Sequence, residues 1–168
     1  MILIPKTSEY IPYFESYISL VDGDVIESLL FQVKILKDWF LAYPNEKLDL
    51  SYAPNKWTTK EVLLHIIDTE RIMCYRAFSI SRNETNNLPG FDENEYIKNA
   101  DTINKPLNQL LEEYSLQRAS TIALFKGFNK KELSKVGIAN NAEISVRAII
   151  YLLAGHELHH FSVLKERY

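Results

Sequence analysis

Apolar positions in this chain recur at helical spacing in four stretches of roughly 20 residues each, separated by polar connectors. The first, 24–42, sets Ile26, Leu29, Leu30, Val33, Leu36, Phe40 and Leu41 in the i, i+3, i+4, i+7 register of a half-buried helix, and Pro44 closes it. The second opens at Thr58 with Glu61 three positions on. That is the pattern of a capping box, in which hydroxyl and carboxylate satisfy orphan amides at a helix start, and the helix runs to residue 82. Residues 83–105 combine Asn, Pro, Gly and Asp, which predicts a long loop with a helical turn over 93–99. Connectors of that length usually carry function or cross between non-neighbouring helices. Pro106 suits the first turn of a third helix, which ends at Gly127, and the fourth spans 145–166. No stretch alternates convincingly at period two. The pattern therefore predicts an all-α protein, an antiparallel four-helix bundle with a long connection between helices two and three.

The 168 residues suit one compact domain over 1–168, since a second core would need more chain. A net charge of −3 excludes the clustered basic surface that neutralises a phosphate backbone, so no nucleic-acid partner is expected. No run approaches the roughly 20 apolar residues of a membrane span, and the first residues lack the charged-then-apolar pattern of a secretion signal. No membrane association and a cytoplasmic location are the expectations. Cys74 is the only cysteine, which rules out an internal disulfide framework and any Cys-rich zinc site, and fits a reducing compartment.

The four histidines are His65, His156, His159 and His160. On the fourth helix, with His156 at zero, His160 falls at about 40°, Ile149 at about 20°, Leu153 at about 60° and Leu152 at about 320°. His156 and His160 thus lie within the apolar stripe, while His159, at about 300°, lies at its edge. A lone histidine on an apolar face is more often a hydrogen-bonded core residue than a ligand. Two inward imidazoles four apart would each need a separate partner in a core, but they can converge on one ion. A third ligand has to come from another helix, and His65 on the second helix is the histidine left.

Helix two carries further polar groups. Glu70 projects inside its apolar arc, which predicts a buried ion pair with an arginine such as Arg118 or Arg76; the other reading turns Glu70 to a dimer interface or to water. Asp68 is either an acceptor that orients a ligand imidazole or an ordinary solvated side chain. Residues 156–160 also satisfy the H-E-x-x-H pattern of zinc proteases, in which the glutamate is the general base. Those enzymes hold a peptide along a sheet edge, and no sheet is evident here. Glu157 is retained as a candidate catalytic base toward metal-bound water.

Lys56-Trp57-Thr58, His65-x-x-Asp68-x-Glu70-Arg71, Tyr75-Arg76-Ala77, Leu88-Pro89-Gly90-Phe91-Asp92 and Gly155-His156-x-x-His159-His160 together resemble, in order and spacing, the DinB-like superfamily. The resemblance covers 51–161. It implies a DinB/YfiT-like four-helix bundle, often dimeric, whose divalent metal is held by one histidine of the second helix and two of the last. By position these are His65, His156 and His160. Relatives include metal-dependent transferases of low-molecular-weight thiols such as bacillithiol.

The resemblance thus implies a metal-dependent enzyme, with zinc or nickel as the ion and a small thiol as co-substrate, that transfers the thiol to small electrophiles. The other readings are a non-catalytic dimeric bundle with a structural metal or ligand-binding role, and a metal-dependent hydrolase. A small-molecule substrate and a homodimer are the expected partners. A fourth protein ligand, His159 or Glu157, would mark a structural site; an open position would mark a catalytic one. The loop over 88–96 is a candidate wall or lid.

Overall fold

A computed structural model describes residues 1–168. Four long helices carry the architecture: α2 (Val25–Ala42), α3 (Thr59–Ser81), α5 (Leu107–Gly127) and α7 (Val146–Arg167). Three short ones lie between or before them: α1 (Glu15–Ile18), α4 (Glu93–Asn99) and α6 (Lys130–Leu133). Each long helix starts where its sequence says it should. The Asp24 carboxylate accepts from the amides of Ile26 and Glu27, Thr58 and Glu61 form the capping box, Pro106 precedes α5, and the Ser145 hydroxyl accepts from the Ala148 amide. No helix is long and apolar enough to cross a membrane.

α3 packs against α5 and α7, and α2 packs against the same two helices. The order around the bundle is therefore α2, α5, α3, α7. The consecutive helices α2 and α3 stand diagonally, and so do α5 and α7. The connectors over 43–58 and 128–145 must cross the ends of the bundle, which explains why both are long.

One element corrects the sequence expectation. β1 (Val136–Ala139) and β2 (Ala142–Ser145) form an antiparallel hairpin, with Val136 opposite Ser145 and Ala139 opposite Ala142. Asn140 and Asn141 make its two-residue turn, at φ 51° and 62°. Asparagine tolerates this left-handed conformation, and the turn's twist matches that of paired strands. Four-residue strands are too short to show alternation. The hairpin anchors the long loop: the Leu88 amide donates to Ile138 O at 2.9 Å, and the Asn140 amide donates to Leu88 O at 2.8 Å.

The apolar core falls into two halves divided by a polar layer. Val25, Ile26 and Leu29 of α2 lie in one half, and Leu36 and Phe40 lie in the other. Gln32, Glu70, Arg118 and Glu157, one from each long helix, are buried between the halves. Arg118 donates to Glu70 from Nε and Nη2, at 2.8 Å each, and from Nη1 to Leu29 O at 2.9 Å. Its Nη2 also meets Glu157, which accepts from the Tyr114 hydroxyl at 2.6 Å. Glu70 thus pairs with Arg118 rather than turning to water. The layer joins all four long helices at one level, and His65 and His156 lie close to it along α3 and α7.

Candidate metal centre

His65 projects from α3, and His156 and His160 project from α7, into the groove between these neighbouring helices. The Nε2 atom of His156 lies 3.1 Å from Nε2 of His65 and 3.1 Å from Nε2 of His160. One ligand nitrogen from each ring lies within 4.8 Å of the others. Donors about 2.0–2.1 Å from a shared ion stand roughly 3–3.4 Å apart, so the observed spacing suits a divalent cation. Protons satisfy such a triangle poorly. A neutral imidazole has one N–H and one lone pair, and Nε2 of His156 faces two neighbours.

Burial sets the charge state of these rings. It pushes His65 down to about 4 and His160 down to about 3, where His65 and His159 add repulsion. His156 is held well below the usual range, chiefly by burial and then by the three other histidines. At neutral pH all three ligand candidates are uncharged, which is the form that coordinates metal. Trp57, just ahead of the α3 cap, covers His65 with its ring centroid 4.6 Å away.

The other candidates stand outside the three-nitrogen triangle. His159 is exposed, with its ring 5.3 Å from that of Tyr17, and no fourth His, Cys, Asp or Glu joins the three-nitrogen cluster. Glu157 requires a correction. One position from His156 is a rotation of about 100°, which turns its side chain into the core. Both carboxylate oxygens are engaged there, by Tyr114 and Arg118, and burial raises its pKa against the pull of Arg118. So placed, Glu157 cannot reach a group bound between the histidines. Asp68 pairs with Arg71 at 3.0 Å, and Arg71 also reaches Glu113 at 2.6 Å.

The histidines open into a cleft of about 250 Å³. One wall is the segment leading into α1 and α1 itself, with Tyr13, Phe14 and Tyr17. α1 lies directly against α7 because residue 155 is glycine: a Cβ there would meet the Tyr17 carbonyl oxygen at 1.9 Å. This approach sets the Tyr17 ring 6.0 Å from that of His156. Burial, then Tyr13 and the negative Glu93, push the Tyr17 phenol up to about 12, so it remains a hydrogen-bond donor at neutral pH. The opposite wall is Phe91 and Glu93, from the long loop and the start of α4. Arg76 fixes that loop by donating to Pro89 O at 2.8 Å. The expected wall over 88–96 is therefore pinned by α3 and by the hairpin.

Thr69, one turn after His65, also lines the cleft. It is 2% exposed, and its hydroxyl has no hydrogen-bond partner. Sequence reasoning did not assign Thr69, Tyr17 or Glu93 to the site. Thr69 was readable from its i+4 spacing to His65, whereas Glu93 and Tyr17 come from segments that no helical period ties to the site.

Fold and site together define a class: four-helix bundles with a histidine-lined pocket between two of their helices. The family model of the DinB superfamily matches residues 33–164, and the chain belongs to that superfamily. It is 25% identical over 122 residues to a protein of Oceanobacillus iheyensis named "Putative metal-dependent hydrolase OB0413", a match covering 72% of this chain and 70% of that protein. Among solved structures, YfiT from Bacillus subtilis aligns with a TM-score of 0.72 over 96% of this chain and 89% of its own, at 17% identity. YfiT is described as "a probable metal-dependent hydrolase with an unusual four-helix bundle topology". At that identity the likeness establishes a shared fold.

Proposed function

We propose that this protein is a metal-dependent enzyme that activates a small nucleophile between His65, His156 and His160 and directs it at a small electrophile in the adjoining cleft. The convergence of three neutral imidazoles with no fourth protein ligand carries this reading, because a three-ligand set leaves a coordination position for a reactant. Zinc and nickel are the ions proposed, as imidazole suits both. When bound, such an ion supplies Lewis acidity that deprotonates a coordinating thiol or water at neutral pH.

The chain's own residues do the rest. Trp57 and the aromatic wall exclude bulk water, which strengthens every polar interaction inside the cleft. Tyr17 and Thr69 offer hydroxyls to orient a reactant. Transfer of a low-molecular-weight thiol is the first version of the chemistry. Its nucleophile comes from a co-substrate, in keeping with Cys74, whose thiol burial pushes up to about 11 and which lies outside the cleft. Hydrolysis is the second version, favoured by the names of the two relatives and by Glu93, a carboxylate in the cleft able to accept a proton from water.

The test is conjugation of bacillithiol to a haloarene by zinc- or nickel-loaded protein, run beside hydrolysis of a panel of small esters and amides. Metal-dependent turnover in either assay that is lost in His156→Ala supports the proposal. Loss in neither assay after His156→Ala, or activity unaffected by chelation, contradicts it.

A further inference from the structure

The cleft in front of the histidines has an electrostatic character of its own. Five aromatic rings line it, those of Tyr13, Phe14, Tyr17, Trp57 and Phe91, and Glu93 is the one carboxylate among its lining residues. No lysine or arginine reaches it. Tyr13 stands edge-on to both Phe14 and Tyr17, at centroid separations of 5.7 and 6.1 Å, so the α1 side presents a continuous aromatic surface. Aromatic faces and a carboxylate both attract a cation, and several rings around one carboxylate is how proteins hold alkylammonium groups. An anionic reactant would find no lysine or arginine in these walls, since Lys56 lines a separate cleft beyond Trp57.

The buried Thr69 hydroxyl is independent evidence that a ligand enters. A buried, unpartnered hydroxyl normally costs stability, and Thr69, 2% exposed, stands among the residues that line the cleft, one turn from His65. We infer that the cleft is a subsite for a cationic, ammonium-bearing part of a substrate or co-substrate, held by Glu93 and the aromatic wall while its reactive end meets the histidine centre. This inference rests on the metal-centre reading above and adds the charge of the reactant to it.

Cobalt(II)-loaded protein tests it without requiring turnover. Thiocholine, 2-mercaptoethanol and 3-mercaptopropionate differ in the charge of the tail, and each is titrated at matched thiolate concentration, read by the thiolate-to-cobalt absorption band. Thiocholine should bind about tenfold more tightly than 2-mercaptoethanol, the sum expected of a cation–aromatic contact and a solvent-facing ion pair, and 3-mercaptopropionate should bind most weakly. Glu93→Gln and Tyr13→Leu, both at exposed positions, should each reduce several-fold the ratio of thiocholine affinity to 2-mercaptoethanol affinity. Equal binding of all three thiols to a cobalt-loaded protein overturns the cationic subsite alone. A preference for 3-mercaptopropionate that disappears in Lys56→Gln overturns it in favour of the neighbouring cleft. A protein that takes up no cobalt overturns both this inference and the metal centre beneath it.

Discussion

The Arg118 guanidinium grips the Glu70 carboxylate in a two-pronged ion pair, 2.8 Å at each prong, with both side chains almost wholly out of water. Glu157 shares the same guanidinium from a third helix. Replacing Arg118 by Met would leave two carboxylates buried without a counter-charge. Loss of one partner from such a pair costs about 3–5 kcal/mol, so R118M should lose at least that much in urea unfolding. A change below 1 kcal/mol would mean that the layer does not hold the four helices together.

Gly155 is the contact on which the aromatic wall depends. In Gly155→Ala, the new methyl and the Tyr17 carbonyl cannot share their space, and both belong to backbone-level structure that yields only by moving α1. The variant should lose about 1–3 kcal/mol of stability, and Tyr17 should become more exposed, as read by solvent perturbation of tyrosine absorbance. Unaltered stability would show that α1 does not press against α7.

Glu9 makes stability depend on acid. Its hydrogen bonds from Arg147, opposed in part by burial and helped by Ser145, lower its pKa from 4.5 to about 2. A depressed carboxylate pKa contributes stability that is fully present above the unfolded value. That contribution is lost as the pH falls from 4.5 toward about 2. Discounted for its partial exposure, it amounts to about 2 kcal/mol. Unfolding free energies of wild type and Glu9→Gln should therefore differ by about that amount at pH 6 and converge near pH 2, whereas parallel curves would remove Glu9 from the acid response.

Thr69 offers a test in which stability and function move in opposite directions. Thr69→Val replaces an unpartnered hydroxyl by a methyl of nearly the same shape. It should raise stability by about 1 kcal/mol, because no hydrogen bond is lost and a desolvated polar group is removed. Turnover in whichever assay proves positive should fall, and Thr69→Ser should restore it. A variant that is both less stable and fully active would assign Thr69 to packing.

The long helices were legible because their apolar residues recur at helical spacing, and Thr58 with Glu61 and Pro106 mark two of the starts. The histidine candidates were legible because a helix converts a spacing of four into a shared face. Glu157 shows where pattern misleads: H-E-x-x-H names the residue, but the same wheel that brings His160 beside His156 turns Glu157 into the core. The diagonal order of the helices, the α1 wall and Glu93 were not readable. They depend on where the connectors cross, on Gly155 admitting α1, and on Arg76 and the hairpin pinning the long loop, none of which leaves a periodic trace.

In the proposed centre the imidazoles of His65, His156 and His160 share one ion. Elemental analysis of the untagged protein after zinc loading and gel filtration, beside His156→Ala treated identically, measures it directly. One equivalent of divalent metal per wild-type chain and none in the variant, with helical circular dichroism intact in both, is the predicted result. Equal metal content in the two proteins, or none in either, would contradict it.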